Sequence, residues 1–206
     1  MSILMKIIKE SISGTHYQVF KRGDVIYREG DDSKYVWFIE AGLVGLFHIA
    51  ESGRETFLRV FGEGYLSGHR SAVVNEIYHA SAVALTTSRI GYLPKDDFLR
   101  LLKSSPEALL ELTQILARDL RQAEERIAGL MDKSAAKRVI ETILYLQLRY
   151  PTQPWTRKEI AELSETTLET TTRVMTQLED ENFITKEGRR FSINDPQGLL
   201  RHSHQL

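Results

Sequence analysis

Between Tyr17 and Pro94 the chain alternates short apolar runs with glycine-acid turns. The runs are VIY (25–27), YVWFIE (35–40), LVGLFHIA (43–50), ETFLRVF (55–61), ASAVAL (80–85) and RIGYL (89–93). Gly23-Asp24, Gly30-Asp31-Asp32, Ala41-Gly42, Ser52-Gly53 and Gly62-Glu63-Gly64 punctuate them. A two-residue period broken by such turns predicts strands, and many short strands at this spacing predict a barrel or sandwich. After Pro94 the period changes. Asp96 to Leu102 reads as a short helix. Pro106 opens a longer one, because proline suits the first helical turn. Its Leu109, Leu112, Leu116, Ala123, Ile127 and Leu130 recur every three or four residues, with a skipped step near Asp119. Arg118, Arg121, Glu124 and Glu125 are available to flank this narrow seam. It is of the kind that pairs helices between chains or packs a helix on its own domain. Lys133-Ser134 marks a boundary. Ser134 to Leu148 is another helix, with Val139, Ile143, Leu144 and Leu146 inward, and Pro151 and Pro154 end it.

The segment from Thr156 to Ile184 carries the densest chemistry. Thr156 caps a short helix, with Glu159 completing a capping box. The bend Ser164-Glu165 follows. Thr166 is expected to cap a second helix, with Glu169 at the box position. On that helix Leu168, Thr171, Met175 and Leu178 are expected to face the core. Glu169, Thr170, Thr172, Arg173 and Thr176 fall largely on the opposite side. Arginine can pair with guanine O6 and N7, glutamate can accept from cytosine N4, and threonine can hold a phosphate or a thymine methyl. Thr166 and Thr167 at the helix start join this candidate DNA face. FITKEGRRFSI (183–193) reads as a β-hairpin wing whose tip presents Lys186, Arg189 and Arg190 to phosphates.

Composition narrows the class. The 206 residues suffice for two small cores. No apolar run reaches the roughly 18 residues a membrane span needs. The start of the chain lacks the basic-then-apolar pattern of a signal peptide, so a cytoplasmic protein without membrane partners is expected. There is no cysteine, which excludes disulfides and thiolate-held clusters. Net charge is -1, and from Thr156 onward Lys and Arg number 7 against 9 Asp and Glu. DNA binding must therefore rest on locally placed cations, with a modest salt slope.

FKRGDVIYREGDDSKYVWFIEAGLVGLF (20–47) and TRKEIAELSETTLETTTR (156–173) together resemble the CRP/FNR family, the catabolite-activator and fumarate-nitrate-reduction type of bacterial transcription regulator. The resemblance spans roughly Val19 to Ile193. It implies an α+β chain: an N-terminal jelly-roll β-barrel of cyclic-nucleotide-binding type (1–105), a long dimerisation helix (106–132) and a C-terminal winged helix-turn-helix (133–206). It further implies a homodimer on double-stranded DNA, with RNA polymerase as a partner. Glu169, Thr172 and Arg173 are similar to the E-x-x-S-R of the fumarate-nitrate branch. Leu168 stands where the catabolite-activator branch has an extra arginine, which favours a TTGAT-like half-site. Glu165 departs from the glycine many relatives carry in the bend.

Cyclic-nucleotide binders of this family use a glycine–glutamate pair for the ribose and an arginine for the phosphate. Here Gly68 is followed by His69, and His79 stands at the arginine position, so cAMP is not expected. The effector-facing candidates are Gly68, His69, Arg70, Ser71 and His79. The sequence leaves the small-molecule effector unknown: an anionic metabolite, a haem held by histidine, or an empty pocket. A second functional class, a cyclic-nucleotide-type regulatory subunit acting by protein contact, would not need the segment 156–193. An enzyme is not expected, because the chain shows no nucleophile–base pair, phosphate-binding glycine loop or metal-ligand spacing, leaving catalytic and metal residues at none.

Overall fold

The computed structural model describes residues 3–11, 16–49, 55–188 and 190–204. The chain divides into two compact units, Met1–Leu120 and Arg121–Leu206. The first begins with helix α1 (Ile3–Ser11). Strands β1 (His16–Phe20), β2 (Val25–Tyr27), β3 (Tyr35–Ala41), β4 (Val44–Ile49), β5 (Glu55–Phe61) and β6 (Leu66–Ser67) follow, then helix α2 (His69–Val74), β7 (Ser81–Ala84) and β8 (Ser88–Pro94). Helices α3 (Lys95–Ser104) and α4 (Pro106–Asp132) come next. The eight strands form two antiparallel four-stranded sheets, in the orders β1-β8-β3-β6 and β2-β7-β4-β5. All six strand runs expected from the alternation are present. Helices α1 and α2, strand β1 and the two-residue β6 were not separately expected from the pattern.

The YVWFIE run is apolar on both sides because β3 is covered on both sides. Val36 and Phe38 join a core with Leu4, Met5 and Ile8 of α1, with α3, and with Ala108 and Leu112 of α4. Trp37 and Ile39 face the opposite way, into a core with Phe20, Tyr27, Leu46, Tyr78 and Ile90. A strand buried on both faces loses the polar half of its alternation. Gly91 on β8 is needed by this packing: a Cβ there would drive into the Phe38 ring.

Leu112 corrects one expectation. It is 2% exposed inside its own unit, and Leu116 packs partly against the same core. Leu112 is therefore not a seam residue. The skipped step near Asp119 also disappears, since Leu120 is 62% exposed. Leu109, Thr113, Leu116, Leu120, Ala123, Ile127 and Leu130 follow one another at alternating spacings of four and three. Of these, only Leu116 is not exposed.

The second unit takes the rest of α4 and continues through α5 (Ala135–Arg149), α6 (Arg157–Leu163), α7 (Leu168–Asp180), β9 (Ile184–Glu187), β10 (Arg190–Ile193) and α8 (Pro196–Ser203). Helix α5 packs against α6, α7 and α8. Val139, Ile143, Leu146, Trp155, Ile160, Val174, Met175, Leu178, Phe191 and Leu199 are buried here. Ser134 caps α5, accepting from the Lys137 N–H, so the helix expected from Ser134 onward starts there.

Candidate DNA interface and effector site

The helix-turn-helix is built by caps. Thr156 accepts from the Glu159 N–H, and the Glu159 carboxylate accepts from the Thr156 N–H at 2.7 Å, a complete capping box for α6. The second cap differs from the expected one. Thr167, not Thr166, is the N-cap of α7, accepting from the Thr170 N–H at 3.1 Å. Glu169 therefore has no capping-box role and lies exposed in the first turn. Leu168, expected inward, is 52% exposed. It is the first helical residue, and Thr171, Val174, Met175 and Leu178 supply the buried face from the next turn on. Glu169, Arg173 and Thr176 are exposed, and Thr170 and Thr172 half-buried. Arg173 makes no ion pair among the described residues. Thr166 and Thr167 border this face at the entrance to α7.

Between the two helices, Glu165 has φ +51°, the left-handed region that glycine favours and that costs other residues on the order of 1 kcal/mol. Three contacts hold it there. Its carboxylate pairs with Arg126 at 2.7 Å. Arg138 on α5 donates to the Ser164 and Glu165 carbonyls at 3.0 and 3.1 Å. The same guanidinium donates to the Lys133 carbonyl at 2.9 Å. Arg126 and Arg138 thus position the turn that aims α7; nothing in the local sequence marks them.

Strands β9 and β10 form the expected wing, pairing antiparallel from Ile184–Ile193 to Glu187–Arg190, with Gly188 at φ +63° in the turn. Lys186 and Arg190 are exposed. Arg189 lies outside the described residues.

In the first unit the five effector candidates behave differently from one another. Gly68 precedes α2 with φ +77°, and a Cβ there would sit 2.9 Å from the Tyr78 ring and 3.2 Å from the Tyr35 carbonyl. Tyr78 stacks on Tyr27 at 4.0 Å, accepts from Trp37 Nε1 at 3.1 Å and donates to the Tyr35 carbonyl. Burial raises the pKa of both phenols. His69 is 4% exposed, and neither ring nitrogen has a hydrogen-bond partner. Arg70 donates to Asp119 of α4 at 2.9 Å, and Arg59 of β5 pairs with the other carboxylate oxygen at 2.5 Å. Arg59 also donates to the Asp119 backbone carbonyl at 3.0 Å. Ser71 is buried and its Oγ lies 3.5 Å from His79 Nδ1. His79 keeps its outer edge in solvent, and partial burial of the ring, then Arg70, lowers its pKa. The sequence reading missed Arg59 and Asp119, which lie far from residues 68–79 along the chain and meet Arg70 only through the fold.

Burial, then Arg70, pushes His69 down to about 4, with Asp119 acting in the opposite sense and His79 and Arg59 in the same sense as Arg70. The folded value lies below the free value of 6.5, so the unfolded chain takes up the proton first. The stabilisation is complete above pH 6.5 and is lost as pH falls toward 4. At about 1.4 kcal/mol per unit, the loss is on the order of 3 kcal/mol. Urea unfolding across that window is expected to show this loss in wild-type protein and not in His69→Gln. Parallel curves for the two proteins would contradict it.

The cyclic nucleotide-binding domain model matches residues 17–105, and the Crp-like helix-turn-helix domain model matches residues 137–202. Over 170 residues the chain is 31% identical to the cyclic AMP receptor protein of Thermus thermophilus, covering 81% of this chain and 78% of that one. The chain belongs to the CRP/FNR family of transcription regulators. Among other relatives, the transcriptional activator protein FnrA of Stutzerimonas stutzeri is 25% identical over 188 residues, covering 87% of this chain and 77% of that one. The crystal structure of a CRP/FNR-family regulator of Thermus thermophilus superposes with a TM-score of 0.78 at 26% identity, covering 92% of this chain and 98% of that one. FixK2 of Bradyrhizobium japonicum shares the fold, with a TM-score of 0.81 at 21% identity over 91% of this chain and 96% of that one. The relatives and the two family models are those of regulators, not enzymes. Among the described residues no helix is long and apolar enough to cross a membrane, and no cluster of metal-ligating side chains occurs.

Proposed function

We propose that this CRP/FNR regulator acts in the cytoplasm as a homodimer paired along α4. Each α7 reads a TTGAT-like half-site, contact with RNA polymerase follows from the family, and the effector is not cAMP. The observation that carries the DNA reading is the exposed face of α7. Glu169 and Arg173 stand one turn apart there, among threonines, beside a wing bearing Lys186 and Arg190. Arg173 is assigned to guanine and Glu169 to the cytosine of the opposite strand. The stripe from Leu109 to Leu130 supports the dimer, because exposed apolar side chains at coiled-coil spacing are covered by an equivalent helix.

Relatives from Thermus thermophilus and Mycobacterium tuberculosis are named for cAMP, while FnrA carries no such name. In this chain a buried neutral imidazole, His69, stands at the ribose glutamate position, and His79 at the phosphate arginine position. Neither supplies a carboxylate acceptor or a bidentate guanidinium. This favours the branch that does not use cAMP.

The test is fluorescence anisotropy with a TTGAT-palindrome duplex whose half-site centres lie about one helical turn, roughly 10 bp, apart. Preferential binding over a scrambled duplex, with no gain from cAMP, is expected. Equal affinity for both duplexes would sink the sequence-specific reading and favour a regulatory subunit acting by protein contact. Micromolar cAMP binding by calorimetry would overturn the effector assignment alone.

A further inference from the structure

Two guanidiniums from different parts of the barrel unit converge on one carboxylate, and that carboxylate belongs to α4. Arg59 comes from β5, Arg70 from α2. They hold separate oxygens of Asp119, at 2.5 and 2.9 Å. The Asp119 and Arg59 side chains are 15% and 18% exposed, and Arg70 is 37% exposed, so one edge of the cluster opens to solvent. Among the described residues, two positive groups face one negative group in this cluster. His69, next to Arg70 on α2, has ring nitrogens that are both buried and both without a partner. A buried polar group left without a hydrogen bond is costly and calls for an explanation.

We infer that Arg59, Arg70 and His69 form a binding site for a small carboxylate or phosphate anion, and that Asp119 is its built-in occupant, displaced when the ligand binds. Resting on the effector-controlled reading above, this names the effector's chemical class and the contact it breaks. The geometry favours it on three counts. Paired guanidiniums are the best carboxylate and phosphate receptors among side chains. A neutral imidazole has one N–H to donate to an anion's oxygen, which would satisfy a nitrogen of His69. The competing carboxylate sits on α4 one residue before Leu120 of the exposed stripe. Ligand binding therefore releases α4 from β5 and α2 at the point where the stripe passes. A ligand that replaces one discrete contact by another shifts an equilibrium by its differential affinity for the two states.

The test uses the full chain and two probes, sodium succinate and inorganic phosphate, followed by calorimetry against sodium chloride at matched ionic strength. A tethered competitor that leaves the site free about one tenth of the time weakens binding about tenfold. Asp119→Asn is therefore expected to bind at least one probe about tenfold or more tightly than wild type. Adding Arg70→Gln should abolish the gain. Asp119→Ser replaces the asparagine variant if the latter does not fold. Wild-type protein gives an independent reading, a rise in melting temperature with millimolar probe that chloride does not reproduce. Equal affinities in wild type and variant, or no response to either probe in any of these proteins, would overturn the proposal. Anisotropy on the DNA duplex, run on the same samples without anion, separates the two readings. Retained sequence preference without an anion response sinks this inference and leaves the DNA reading standing.

Discussion

Arg173→Ala is expected to cost about 1–3 kcal/mol of discrimination at each half-site, the value of one bidentate arginine–guanine contact. That is roughly tenfold to a hundredfold per half-site, and in the proposed homodimer the loss applies twice. Arg173 is exposed and unpaired among the described residues, so the fold has little to lose; stability should move by no more than about 0.5 kcal/mol. Arg190→Ala on the wing should behave differently. It should weaken all duplexes alike and reduce the salt slope by about 1. The two variants are measured on one pair of duplexes, with and without the guanine. If Arg173→Ala loses affinity equally on both, Arg173 holds a phosphate and the base-reading assignment is wrong.

A double substitution in the α4 stripe, Leu120→Glu with Ile127→Glu, is expected to yield monomers. Both side chains are exposed in the single chain, at 62% and 60%. Burying each in a paired helix contributes about 1.5–3 kcal/mol, and a two-fold axis doubles every loss. The substitution also places four carboxylates in one seam. Sedimentation velocity at micromolar concentration is the readout, with the wild type dimeric and the variant monomeric but still folded. Leu112→Glu should fail in the opposite way, because Leu112 is a core residue of its own unit. It should lower the melting temperature of the barrel unit sharply. Wild-type protein that sediments as a monomer would remove the basis for both the seam and the palindrome.

Leu112, Leu168 and Thr166 depart from the local pattern for one physical reason. Periodicity reports that a helix has an apolar side; it does not report which body covers that side. Leu112 and Leu120 are both leucines in the same helix, and both fit an apolar stripe. One is covered by the barrel of its own chain and the other is bare, a distinction set by where α1, α3 and β3 pack. The misplaced cap has a similar cause. Thr166 and Thr167 are both good caps, and Thr166 followed by Glu169 satisfies the capping-box spacing. The turn is instead closed by the Thr166 N–H donating to the Ala161 carbonyl, which moves the helix start on by one residue and turns Leu168 outward.

Local chemistry alone determined much of this protein. Strand runs between glycine turns, the proline opening α4, the Thr156–Glu159 box and the hairpin after Phe183 are interactions among residues close in the chain. Their energetics are therefore written in spacing. The α7 face is of the same kind, since a helix fixes which residues share a side. Only the tertiary structure could decide the rest. Arg59, Arg70 and Asp119 are brought together from β5, α2 and α4, and ionic partners that distant leave no periodic trace. His69 reads in sequence as an ordinary histidine. It becomes a buried base with a lowered pKa only when the barrel closes over it. Glu165 tolerates a glycine's backbone because Arg126 and Arg138 arrive from other helices to hold it.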